Sequence, residues 1–135
     1  GQEDATARAK ALHQWMAVLH ALGGLSPVLA QARREEKFEQ SAEDIFAKKA
    51  TATLRTRLGP LKAYSAWTML HGLTAWPATE QTVYSYVAHL RATKSAASKA
   101  ASFLKALTMV SFLLLIPDME VTLKSPRIGG CLSHS

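Results

Sequence analysis

Catalysis and metal binding both need side chains that can share a proton or a cation at a workable spacing. His13 and His20 lie seven residues apart and so share one helix edge, which is half of a metal site, but no third ligand accompanies them. The chain has no CxxC and no HExxH. Its one cysteine, Cys131, has no partner for an internal disulfide and no charged neighbours to lower its pKa. Tyr64, Tyr84 and Tyr86 lack a nearby base that could turn a phenol into a nucleophile. His71 and His89 each sit near an expected helix end, as capping or surface residues. The expectation is therefore a chain with no catalytic residues, no metal and no cofactor of its own.

What the sequence does concentrate is positive charge. Residues 48–105 hold Lys48, Lys49, Arg55, Arg57, Lys62, Arg91, Lys94, Lys99 and Lys105 against a single acid, Glu80, a net of +8. Residues 1–47 carry five basic and seven acidic side chains, and residues 106–135 carry two of each, so the whole chain stands at +6. A segment at +8 repels itself unless a polyanion is close by, and nucleic-acid phosphate is the commonest such partner.

These residues have to be held by helices. The chain has 135 residues, 48% of them hydrophobic, and a mean hydropathy of +0.01, a composition suited to one globular domain. No run of alternating β-branched residues suggests a sheet, and no internal repeat is present. The unbroken apolar stretches between Ser102 and Pro117 are shorter than the ~20 residues of a membrane span. No signal peptide is visible, and Gly1 in place of an initiator methionine reads as the start of an excised fragment.

The periodicity predicts a helix over 4–22, with Leu12, Trp15, Met16, Leu19 and Leu22 inward and Gly23-Gly24 as its stop. Ser26-Pro27 opens a second helix to about residue 39, and Ser41 with Asp44 forms a capping box for a third through Lys49. An apolar stripe over 51–71 includes Leu54, Leu58, Leu61, Tyr64 and Trp67, with a kink or break expected at Gly59-Pro60. Thr79 caps a helix to about residue 92 that turns Val83, Tyr86, Val87 and Leu90 inward. Ser95 caps another to Leu115, with Ala96, Ala100, Phe103, Leu104, Leu107, Val110 and Leu114 on its core face. Pro117 ends it, and the remaining residues read as a linker. The fold class expected is all-α, a small bundle of about five to six helices without a sheet. Its parts are an N-terminal helical extension (1–47), a central helical domain (48–116) and a linker (117–135).

The faces left outside carry the functional reading. On the helix from Ser95, the residues Ser98, Ser102 and Lys105 fall within about 60° of one another opposite the apolar stripe, with Lys99 on the flank. Ala97 and Ala101 are small enough to let a partner approach the backbone. On the stripe over 51–71, Arg55 and Lys62 lie on one edge and Arg57 on the other. Tyr84 and Arg91 are near-superposed, a spacing that permits ring stacking.

Residues 51–116 also resemble a known family. Thr53-Leu54-Arg55 followed by Leu61, Tyr64 and Trp67 resembles the first long helix of the core-binding domain of tyrosine recombinases, the phage-integrase family that includes Cre-like enzymes. Trp76-Pro77-Ala78-Thr79 with Val83, Tyr86-Val87 and Leu90 is similar to its loop and second helix. Ser95 to Lys99 with Phe103-Leu104 and Ala106-Leu107 is similar to its third. The Gly59-Pro60 pair and the long N-terminal extension depart from the family's pattern. The resemblance implies a helical half-clamp around duplex DNA whose catalytic partner domain has no counterpart here. It carries Thr53, Arg55 and Thr56, and then Ser98, Lys99 and Ser102, onto the DNA-facing side. It also implies an intracellular setting beside the DNA (nucleus or cytoplasm by host), other recombinase protomers in a tetramer as partners, and no membrane. For residues 1–47 it leaves a subunit contact or a lid over the basic face.

Joined with the charge count, the expected DNA contacts are Thr53, Arg55, Thr56, Arg57, Lys62, Lys94, Ser98, Lys99, Ser102 and Lys105. The rival expectation is a helical protein-interaction module whose basic face docks an acidic partner.

Overall fold

The structure, a computed structural model, describes residues 1–93 and 96–133. Among them it has eight α-helices and no strand: α1 Gln2–Leu22, α2 Pro27–Arg34, α3 Phe38–Ile45, α4 Thr51–Leu70, α5 Glu80–Arg91, α6 Ala96–Leu114, α7 Pro117–Leu123 and α8 Pro126–Ser133. The all-α expectation holds, with more helices than anticipated. Lys94 and Ser95, the latter expected to cap α6, lie outside the described residues.

The two additional helices, α7 and α8, lie in the expected linker, and three helix ends are set by chain reversals that composition does not announce. Lys37 N–H bonds to the Ala32 carbonyl while Glu36 takes a φ of 57°, so α2 stops before the expected residue 39. The same six-to-one bond closes α4, from Leu73 N–H to the Thr68 carbonyl, with Gly72 at φ 65°. It closes α6 as well, from Ile116 N–H to the Ser111 carbonyl, with Leu115 at φ 52°. Only Gly72 supplies the usual residue for that left-handed position; Glu36 and Leu115 adopt it at a steric cost of about 1–2 kcal/mol each. Ser41 lies inside α3, whose N-cap is Lys37, so the expected capping box with Asp44 does not form. Gly23 follows α1 in ordinary right-handed geometry; what it provides is room, since a Cβ there would meet the Arg33 guanidinium at 2.6 Å. That guanidinium donates to the His20 carbonyl at 3.0 Å at the end of α1.

α4 runs through Gly59-Pro60 as one helix, so of the kink or break expected there the break does not occur. An interior proline costs about 3 kcal/mol or more. Burying Leu54, Leu58, Leu61 and Tyr64 along the same helix recovers about 1.5–3 kcal/mol for each, which is enough to hold it together.

Residues 1–47 pack into the same core as the rest. Trp15 is fully buried and donates from Nε1 to the Leu54 carbonyl of α4 at 2.9 Å. Arg8 donates to the carbonyls of Phe46 at 2.7 Å and Lys49 at 2.8 Å, fastening α1 to the chain that enters α4. Residues 117–133, expected as a linker, form α7 and α8. Met119, Thr122, Ile128 and Cys131 are buried there, and the Thr122 hydroxyl donates to the Ala78 carbonyl at 2.7 Å. Pro117 thus opens a helix as well as following one.

α6 is central, packing against α2, α4, α5, α7 and α8. Its window Ala97–Leu114 is long and apolar enough by composition to cross a membrane, and half of that window is buried inside the bundle. Ser26 ties α2 to its end: the hydroxyl accepts from Leu29 N–H at 3.2 Å and donates to the Leu114 carbonyl at 2.7 Å, with the residue 1% exposed. Ser26→Ala removes a helix cap worth about 1 kcal/mol and strands a buried carbonyl for about 1 kcal/mol more. Urea unfolding should therefore show a loss of about 2 kcal/mol, and an unchanged midpoint would contradict the double role.

Candidate nucleic-acid interface

α4 and α6 contain no aspartate or glutamate, and they lie side by side in opposite directions. Two grooves follow one another along their seam. The first, about 580 Å³, has Lys49, Thr53 and Arg57 on the α4 side and Ala101, Lys105, Thr108 and Phe112 on the α6 side. The second, about 520 Å³, has Gly59, Pro60 and Trp67 from α4, His89 from α5, and Ser98, Lys99 and Ser102 from α6. Six of the ten expected contact residues thus line the seam: Thr53, Arg57 and Lys105 in one groove, Ser98, Lys99 and Ser102 in the next.

The remaining four divide differently. Arg55 faces α1, lining a separate groove of about 610 Å³ with Glu3, Lys10 and Gln14. Lys62 is exposed on α4 and lines neither seam groove. Thr56 is exposed and its hydroxyl donates to the Ala52 carbonyl one turn back, at 2.8 Å. Lys94 lies outside the described residues. Two seam residues, Lys49 and Phe112, are not among the expected contacts, although Lys49 belongs to the basic segment. Lys49 sits four residues before Thr53 and eight before Arg57, so its spacing was available as a signal. Phe112 continues the Ala101–Lys105–Thr108 stripe, but a phenylalanine in an apolar run looks like core.

Among the described residues the only ion pair joins Arg127 of α8 to Glu80 of α5. Glu80 is the one acid of the basic segment, and it is fully engaged: Arg127 Nε donates to it at 2.7 Å and the Ser125 hydroxyl at 2.6 Å. Arg127 also lies over the Tyr84 ring at 4.0 Å, so it, rather than Arg91, is the cation stacked there. Arg91 instead donates to the buried Cys131 sulfur at 3.6 Å. No aspartate or glutamate lines either seam groove.

The second groove is walled by an aromatic cluster. Trp67 stacks on His71 with centroids 4.5 Å apart and touches Tyr86 and His89 at 5.2 and 5.5 Å. Its indole nitrogen is buried without a hydrogen-bond partner. Tyr64 packs under the cluster and donates to the Ala75 carbonyl at 2.8 Å, and burial pushes both its phenol and that of Tyr86 above the ordinary range. These hydroxyls are suited to packing, not to nucleophilic attack. His13 and His20 are both exposed, and His20 stacks on Phe38 at 4.4 Å. No group of three or more metal-ligating side chains gathers among the described residues.

No family model, curated protein or solved structure matches the chain.

The Arg127 and Ser125 hydrogen bonds hold the Glu80 carboxyl at about 2, below its ordinary 4.5. A lowered folded-state pKa contributes stability that is present above 4.5 and is lost as the pH falls from 4.5 toward 2. Thermal melts across that window should fall more steeply for the wild type than for Glu80→Gln. Parallel acid profiles would show that the pair does not link α5 to α8.

Proposed function

We propose that this chain binds duplex DNA along the α4–α6 seam, holding it by phosphate contacts and performing no chemistry on it, as the core-binding half of a tyrosine recombinase or mobile-element integrase. The observation that carries the reading is the seam itself: Arg57 of α4, Lys99 and Lys105 of α6 and Lys49 just before α4 line it, the two helices contain no carboxylate, and the single acid of the segment is held by Arg127. Hydroxyls from Thr53, Ser98 and Ser102 stand between the cations as further phosphate donors. The first turn of α4 adds to this, because Ala50 gives no side-chain cap and no acid occupies that turn, so its positive dipole end is uncompensated. Short hydroxyls and flexible lysines discriminate bases poorly, so sequence preference comes from DNA shape and from any further domain that completes the clamp. Arg55 and Lys62, on the other edge of α4, take no part in the contact.

Counterion release gives the test its number. Lys99→Ala and Lys105→Ala should each weaken binding to every duplex about equally and lower the log–log salt slope by about one. Arg55→Ala and Lys10→Ala, on the α1 side, should leave both quantities unchanged. A drop confined to one DNA sequence, with the slope intact, would mean that the lysine reads bases. A slope that moves with Arg55 and not with Lys105 would put the contact on the other face of α4.

A further inference from the structure

We infer that Phe112 is an apolar wedge that enters the stack of the bound DNA at one base step, an inference that rests on the DNA-binding reading above. The ring is 74% exposed. It lies on α6 at the end of a stripe, Ala101, Lys105, Thr108 and Phe112, whose spacing of four, three and four residues keeps all four on one helix face. All four line the groove that Lys49 and Arg57 close from the other side. A large apolar ring left in water next to three cations, with no carboxylate lining the groove, fits a polyanion that also offers an apolar interior, and stacked bases under a phosphate backbone have both properties. An acidic protein would match the charge but has no reason to present a flat apolar slot between its carboxylates. Ala101 and Thr108 are short, so the backbone of α6 can come close enough for the ring to reach past the phosphates. Wedges of this kind partly unstack one step and bend the duplex, and the deformation is offset by the protein surface that the bend brings into contact.

Because the side chain is exposed, Phe112→Ala should fold and melt like the wild type. The probes are short duplexes of mixed sequence carrying a fluorescent adenine analogue that brightens when it is unstacked. The wild-type chain should brighten them. Phe112→Ala should abolish that signal and weaken binding about tenfold, the scale of one base–aromatic contact, while leaving the salt slope unchanged because no cation is lost. Phe112→Leu should keep part of both effects. Steep salt-dependent binding that Phe112→Ala does not alter would overturn the wedge and leave the phosphate contacts standing. So would an affinity loss with no brightening by the wild type. Absence of any duplex binding by the wild type would overturn the DNA reading, and the wedge with it.

Discussion

The burial of α6 is the constraint on which the rest of the molecule depends. Phe103, Leu107, Val110 and Leu114 must all leave water, and they do so against helices drawn from both ends of the chain. α4 and α5 cover most of the helix, α7 and α8 fold back over it, and Ser26 fastens the start of α2 to its last turn. What these neighbours do not cover is a strip from Ser98 through Ala101 and Lys105 to Phe112. The grooves beside α4 are therefore a consequence of core packing: five neighbours enclose α6 except along the one edge that carries its lysines.

Charge separation turns that edge into a surface with a preferred partner. Opposite charges three or four residues apart on a helix can pair with one another. Here neither α4 nor α6 carries an acid, and Glu80 is bound by Arg127 and Ser125 on the far flank of α5. Exposed ion pairs contribute little to stability. The arrangement makes more sense as allocation: the acid is used to hold α8 against α5, and the seam cations keep their full field. At the start of the chain, Glu3 of α1 lines the separate groove that Arg55 faces, apart from both seam grooves.

How much of this was legible in the sequence follows from which forces write a periodic pattern. Amphipathic helices do, so the inward faces of α5 and α6 could be read from Val83, Tyr86, Val87, Phe103 and Leu107, and the stripe Ser98–Ser102–Lys105 could be read as their outward counterpart. Helix reversals do not when the left-handed position is filled by Glu36 or Leu115 instead of glycine. That is why the sequence carries α2 on to residue 39, past its end at Arg34, and why Pro117 reads only as an ending. The tail differs from its expectation for a related reason: Pro126 and Gly129-Gly130 resemble a linker, yet Ile128 and Cys131 bury against the bundle because α7 carries them there. Pro60 does not divide α4, because four buried side chains along the same helix outweigh it. The division of the basic residues between the two edges of α4 was visible on a helical wheel, but which edge meets α6 is decided only by tertiary packing.

The most direct test of the account is the affinity of the wild-type chain for duplex DNA, followed by fluorescence anisotropy across a series of salt concentrations. Four phosphate contacts, one for each of Lys49, Arg57, Lys99 and Lys105, predict a linear log–log dependence with a slope near −3.6, about −0.9 per contact. An affinity that barely changes with salt, or no binding at the lowest salt, would contradict a seam built for phosphate and would point to a protein partner for the same basic face.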